Sequence, residues 1–260
     1  MKENYKKILN TVIAIIPLIG FFLLWEYVAG QSPKGILKPP SAVIPATLDA
    51  MLNPKEELLR HSLISFGRIG MGFGLAAVAG IVLGFLLGTY FKRLERILVP
   101  FFRICEKLNP FAIIPIFMIF FGIDTKEKVA LIFWVCIWPI FTSTREASKT
   151  VDQSLIRIAR SMGTSRLKTF KSVIVPYVLP SVFTGLKLAV RVAFFIIVAA
   201  ETYGSSSGLG WYYGRKQGLY NLNLIYGSVL YITVLAILSE FIFSKIEQRF
   251  LGWKQAAFKA

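Results

Sequence analysis

The sequence predicts an all-α membrane protein of six transmembrane helices with both termini in the cytoplasm. Three observations lead there. Hydrophobic residues make up 55% of the 260-residue chain, with 22 Phe and a mean hydropathy of +0.61, more apolar than one soluble domain carries. Apolar runs close to the roughly 20 residues that cross a bilayer recur along it. The basic residues behind a formal charge of +16 gather in short groups beside those runs, so membrane topology accounts for them better than nucleic acid does.

Residues 8–25 are 18 charge-free positions with no small-residue cleavage signature close behind, so the first run reads as a retained helix over 8–28 rather than a signal peptide. Residues 31–61 come next as an external connector broken by Pro33, Pro39, Pro40, Pro45 and Pro54. Within it Leu48, Leu52, Leu58 and Leu59 fit either an amphipathic surface helix or a solvated linker. The second helix, 69–91, carries Gly70, Gly74, Gly80, Gly84 and Gly88, a GxxxG-type face for close helix contact, with Arg68 snorkelling at its outer mouth. Further spans are expected at 129–144, 175–200 and 217–239.

One crossing is less plain. Residues 97–123 are interrupted by Arg103, Glu106, Lys107, Asn109, Pro110 and Pro115, leaving a short apolar run after Pro110. If 110–122 crosses, both termini, the loop at 92–96 and the loop at 145–171 share a side holding 17 of the 30 basic residues, against eight opposite. The loop at 145–171 alone has seven Lys or Arg, with Glu146 and Asp152 as its acids. Without the crossing that loop would lie outside, against the positive-inside rule, so six helices are expected. Freed carbonyls around Asn109, Pro110 and Pro115 suit the wall of a water-filled route, although 94–107 also reads as an amphipathic helix on the inner surface, with the crossing helix starting at Asn109.

Charges in the fifth helix point the same way. Lys187 and Arg191 share a helix face, and an intramembrane Arg belongs against a bundle interior or polar cavity. Glu106 and Glu201 are taken as the only acids near the bilayer, either of which could simply pair with Arg191. After Glu201 and Tyr203, the stretch YGSSSGLGWYYGRKQG reads as a flexible outer loop with an aromatic anchor, gate or plain connector. Asn109, Pro110, Arg191, Glu201 and Tyr203 are therefore the candidate pathway residues. Cys105 and Cys136 lie in apolar surroundings without metal-like spacing, and His61 is the sole histidine, so no metal site is expected. No GxxxxGK[ST] phosphate loop is present to hold ATP, and the sole histidine has no second imidazole to complete a zinc site, so catalysis by this chain is not expected.

The segment RIARSMGTSRLKTFKSVIVPYVLP, residues 157–180, reads as helix, turn, helix: Ile156 and Ala159 give the first helix an apolar edge, Gly163 suits a left-handed end, and Ser165 can cap the second helix. It resembles the cytoplasmic signature of permeases of ATP-binding-cassette importers: Glu-Ala-Ala, three residues, Gly, nine residues, Ile-x-Leu-Pro. Arg157, Ile158 and Ala159 stand where Glu-Ala-Ala would be, Gly163 takes the glycine, and Val173, Val175 and Pro176 replace Ile, Leu and Pro. Glu146-Ala147 upstream is a decoy, because Asp152 stands six residues on instead of glycine. KPPSAVIPATL, HSLISFGRIGMGF, PFAIIPIFMIFFGI and AAETYGSSSGLGWYY are similar to the aliphatic sulfonate, taurine and nitrate branch, over roughly residues 38–248.

The resemblance implies a type I importer permease in the cytoplasmic membrane. Its bracket would dock on an ATPase through Arg157, Ile158, Ala159, Arg160, Gly163, Thr164, Ser165 and Arg166. Its partners would be a second permease copy, two cytoplasmic ATP-binding subunits, an extracytoplasmic solute-binding protein and lipid. ATP would be held by those partners, with no cofactor in this chain and no nucleic acid. The chain then divides into an N-terminal helix (1–30), an extracytoplasmic connector (31–61), a permease core (62–250, coupling loop 145–175) and a cytoplasmic tail (251–260). Basic lining favours an anionic solute. An ion-coupled secondary transporter is the alternative, set against the lack of an evident internal repeat.

Overall fold

The structure is a computed structural model that describes residues 2–32 and 35–252, with side chains from residue 16 onward. The last eight residues of the expected tail lie outside the described residues. Every regular element described is helical: α1 (Lys2–Gly30), α2 (Pro40–Leu52), α3 (Leu58–Phe85), α4 (Lys92–Lys107), α5 (Pro110–Phe121), α6 (Thr125–Lys149), α7 (Gln153–Ser161), α8 (Arg166–Thr169), α9 (Val175–Gly204), α10 (Leu209–Gly218) and α11 (Leu222–Phe250). Two π-helical turns extend α3 over Leu86–Tyr90 and join α8 to α9 over Phe170–Ile174. The described residues form two compact units, those within 1–60 and 212–233, and those within 61–211 and 234–260.

In the first unit, α2 begins after Pro39, which has no side chain able to cap it. Glu26 near the end of α1 supplies the acceptor instead, taking the Ser41 hydroxyl at 2.6 Å and the Ser41 N–H at 3.2 Å. A carboxylate at a helix N-terminus is also favoured by the helix dipole. Gly227 on α11 lies against Thr47 and the Val43 carbonyl, and Trp25 packs on Tyr226 with ring centroids 6.4 Å apart. Glu56 accepts the Tyr212 hydroxyl at 3.0 Å and pairs with Lys216.

The second unit is built on α6 and α9, whose Leu131, Ile132, Cys136 and Ile140 pack with Val178, Ala189, Ala193 and Ile197, all shielded from solvent. They run antiparallel: the Cys136 thiol donates to the Ala189 carbonyl at 3.4 Å, while Gly185 lies against Ser143 and the Pro139 carbonyl. By contrast α3 runs parallel to α6 in a fixed register. Gly72, Gly80, Gly84 and Gly88 meet Ile132, Ile140, Thr144 and Ser148, where an added Cβ would come within 2.6–3.0 Å of the facing side chain. Gly70 and Gly74 have nothing within 4 Å, so the expected glycine face is corrected to the row Gly72, Ala76, Gly80, Gly84, Gly88.

Parallel neighbours need a return between them. From Gly88 back to the level of Gly72 is 16 residues of helix, about 24 Å. Both α4 and α5 share that climb: α4 lies antiparallel to α6 through Glu95 with Arg145 and Phe102 with Phe141, and α5 continues through Phe117 with Trp134 and Met118 beside Gly204. The two helices meet at a 97° bend. Asn109 caps α5 by accepting the Phe111 N–H at 3.0 Å, so the short apolar run is a helix of its own, in agreement with one of the two sequence readings.

Among the described residues, four helical stretches are long and apolar enough to cross a membrane: Leu58–Tyr90, Thr125–Lys149, Arg166–Gly204 and Leu222–Phe250. The bent α4–α5 pair makes a fifth, and Ile16–Gly30 is a shorter apolar helix. The last span is displaced from the expected 217–239. Tyr220 takes φ 53°, ending α10, and Asn221 opens α11 by accepting the Leu224 N–H at 3.2 Å. Leu58 and Leu59, expected in the connector helix, already belong to α3.

Candidate functional site

The basic bend hangs from the core by two buried residues, Val151 after α6 and Thr169 at the end of α8. Asp152 caps α7 by accepting the Ser154 N–H at 2.8 Å, and this hydrogen bond, with Arg157 nearby, holds its carboxyl below the usual range. At the other end Gly163 has φ +74°, and two bonds close the helix: Gly163 N–H to the Arg160 carbonyl at 2.9 Å and Thr164 N–H to the Ala159 carbonyl at 3.3 Å. That is a Schellman ending, which satisfies carbonyls that a helix C-terminus leaves open. Ser165 then caps α8 by accepting the Lys168 N–H at 3.3 Å. Ile156 and Ala159 turn partly inward, while Leu155, Ile158 and Met162 are 44%, 56% and 78% exposed. The bracket thus presents an apolar row, with Arg157, Arg160 and Arg166 exposed around it.

At the opposite end of α6 and α9 lies a polar knot. His61, Ser65 and Arg68 recur at four- and three-residue steps, one face of α3. Glu201 is fully buried and accepts from the Ser65 hydroxyl at 2.7 Å, Arg68 Nη1 at 2.7 Å and the Gly210 N–H at 3.0 Å. Arg68 also donates to the Ser207 carbonyl at 2.9 Å and reaches Thr125 Oγ1. Ser65 takes the Leu209 N–H at 2.9 Å, and His61 Nδ1 takes the Gly208 N–H at 3.1 Å while its ring lies 4.8 Å from that of Trp211. Gly208 has φ +108°, and a Cβ there would strike the Glu201 carboxylate. Lys128, also fully buried, donates to the Gly204 carbonyl and to Glu127.

These contacts correct three expectations. The segment after Tyr203 is a pinned turn running into α10, not a flexible loop, because its N–H groups are spent on Glu201, Ser65 and His61. Arg68 does not snorkel; it is 4% exposed. Nor are Glu106 and Glu201 the only acids at bilayer depth, since Glu240 on α11 pairs with Arg191 (Nε to Oε2 at 3.0 Å) and Glu247 pairs with Lys187. Those two pairs tie α11 antiparallel to α9.

Of the candidate pathway residues, Asn109 is exposed at the bend and Pro110 opens α5. Phe111 packs edge-on against Phe195 at 5.4 Å, which sets that bend beside the turn of α9 next to Arg191. Tyr203 is 75% exposed about three turns farther along, and Glu201 is enclosed. Sequence reasoning missed Ser65, Thr125, Lys128 and Glu240. The one-face spacing of 61, 65 and 68 could have revealed the first, and an acid within an apolar span the last.

Comparison with known proteins places this geometry. Residues 80–252 match the family described as binding-protein-dependent transport system inner membrane component. The bicarbonate transport system permease protein CmpB of Synechocystis sp. is 30% identical, covering 87% of this chain and 84% of that one. The putative aliphatic sulfonates transport permease SsuC of Bacillus subtilis is 28% identical over 90% and 84%, and the nitrate import permease NrtB of Leptolyngbya laminosa 26% over 91% and 85%. An inward-facing structure of the MetNI methionine ABC transporter superposes with a TM-score of 0.65 at 18% identity, covering 76% of this chain and 98% of that one. This chain belongs to the family of binding-protein-dependent transport system inner membrane components: it is a multi-pass permease subunit of the ABC transporter class in the inner membrane.

Proposed function

We propose that this chain forms, with a second copy, the route of an importer for a small anion such as bicarbonate, nitrate or a sulfonate, driven by ATPase subunits that grip the α7–α8 bracket. The carrying observation is the bracket itself: a stiff, doubly capped, basic turn anchored in the core at Val151 and Thr169, whose row Leu155, Ile158, Met162 has no cover among the described residues. An exposed apolar row rimmed by charge is the composition of a docking face. An extracytoplasmic binding protein would deliver the solute and lipid would surround the spans. Lacking a phosphate loop, the chain draws its energy from those ATPases.

Six crossings with both termini inside remain the reading that fits best. The parallel register of α3 and α6 supports it, because a chain can hold two parallel spans only by returning between them. Asn109, Pro110, Arg191 and Tyr203 would line the route, with Glu201 bracing its outer wall from behind through Arg68. The names of the relatives favour a small anion as cargo.

The test is Gly163→Pro in the assembled transporter. Proline fixes φ near −65° and has no N–H, so it cannot take the +74° ending or bond Arg160. Membrane insertion should persist while uptake and solute-stimulated ATP hydrolysis vanish. Wild-type uptake by this variant, or failure of any ATPase to copurify with the unmodified chain, would remove the coupling role.

A further inference from the structure

On the bracket's inner side is a cavity of about 820 Å³, enclosed by the last turn of α3, by α4, by the end of α6 and by the bend. Its walls carry Lys92, Arg96, Arg103, Arg160 and Arg166, none of which has an acidic partner among the described residues. Arg145 and Lys149 add two more cations, both already held by Glu95, the one acid in the lining. Both π-turns reach this cavity, one through Gly88, Thr89 and Tyr90 and the other through Ile174. Such turns sit disproportionately at functional sites.

From this we infer that the cavity binds a phosphate group, as the headgroup of an anionic phospholipid or as a free phosphate compound. Five cations without an acidic partner among the described residues call for a compact, multiply charged oxyanion, which a phosphate supplies with its several acceptor oxygens. The opposite face of α4 favours the lipid source: Leu94, Ile97, Phe101 and Ile104, spaced three and four apart, are 44–71% exposed and suit hydrocarbon. A headgroup would then enter beside α4 while its acyl chains lie along that row. The site is on the far side of α7 from Leu155, Ile158 and Met162, so an occupant stiffens the bracket without covering its docking face. Only that effect on coupling depends on the importer reading; the binding does not.

The test uses the full chain with whatever subunits copurify, in nanodiscs of phosphatidylcholine with and without phosphatidylglycerol, read by native mass spectrometry for retained lipid. A second arm titrates inorganic pyrophosphate in zwitterionic detergent by calorimetry. Saturable phosphatidylglycerol retention supports the lipid source, and pyrophosphate binding without lipid retention supports a free phosphate compound. Arg96→Gln with Arg103→Gln should weaken either by roughly 25-fold, at about fivefold for each cation near an anionic surface. Lys92→Gln alone, a smaller change at another cation of the lining, should weaken it about fivefold and guards against a misfolded double variant. Arg93→Gln, on the same helix but outside the lining, should leave it unchanged. Neither ligand binding, or an equal loss in Arg93→Gln, would overturn the site.

Discussion

Replacing Glu201 by Ala strands a buried cation. Arg68 is 4% exposed, and its shortest polar contact is the 2.7 Å bond to this carboxylate; the same substitution also leaves the Gly210 N–H without its acceptor. Breaking a buried pair from one side costs about 3–5 kcal/mol, because the charge left behind is uncompensated. At roughly 2–4 °C per kcal/mol for a chain of this size, the melting midpoint should fall by roughly 6–20 °C. Cys136 offers the readout: it is fully buried, burial pushes its reactivity down, and a thiol-reactive dye reports its exposure as the detergent-solubilised complex is heated. Arg68→Met with Glu201→Met leaves no charge behind, only the Gly210 N–H and the Ser65 hydroxyl without an acceptor at about 1–3 kcal/mol each, since Ser205 still donates to the Ser207 carbonyl. That double variant should melt no lower than either single variant. A shift under about 2 °C for Glu201→Ala, or a double variant that melts at the sum of the two single shifts, would refute the knot as a stabilising unit.

Gly84→Val should destabilise the chain by about 1–3 kcal/mol, since its Cβ would lie 2.6 Å from that of Thr144, whereas Gly74→Val, with open space around it, should not; the same melting assay compares them. Arg191→Leu should lower stability by leaving Glu240 unpaired between α9 and α11, and adding Glu240→Leu should restore it. If the restored double variant also transports at the wild-type rate, Arg191 is a packing residue and leaves the pathway set. Burial pushes the Glu56 carboxyl up, but hydrogen bonds from Lys216 and Tyr212, with the charges of Lys216 and Arg215, outweigh it and hold it below the ordinary 4.5. A lowered pKa stabilises above the unfolded value and is lost as pH falls through the folded one. The stability gap between wild type and Glu56→Gln should therefore be constant from neutral pH to about 5 and shrink below 4.5, read from melting curves at each pH.

Local signals were legible in the sequence wherever the structure is made by neighbours in the chain. Asp152, Gly163 and Ser165 occupy the ends that their side-chain chemistry or φ range suits, and the apolar runs around Ile69, Leu131 and Val190 are helices. Asn221 was equally legible as a cap, yet the hydropathy of the residues around it drew the last span too early. What escaped were pairings across long separations: Ser65 and Arg68 meet Glu201 more than 130 residues away, and no period in one segment records its partner. The glycine face failed for a related reason. Both Gly70–Gly74 and Gly80–Gly84 satisfy GxxxG, and only Ala76, small but not glycine, distinguishes the row that α6 touches.

The two ends of the second unit are joined by α6. Its first turn holds the knot through Thr125 and Lys128, and its last holds Glu95 through Arg145 and Lys149, just before Val151 roots the bracket. Along its length, α3 sits too close to slide past it, because four glycines admit contacts that any Cβ would forbid, and close-packed interfaces respond to force by moving as bodies. The weaker joints lie elsewhere: the 97° bend between α4 and α5, where Leu108 is extended, and the ending of α5 at Gly122, φ 76°. On the proposed coupling, a push at the bracket would reach the knot through α6 and α9, and the joint where the chain should yield is Leu108–Asn109, beside Phe195 and the turn that carries Arg191.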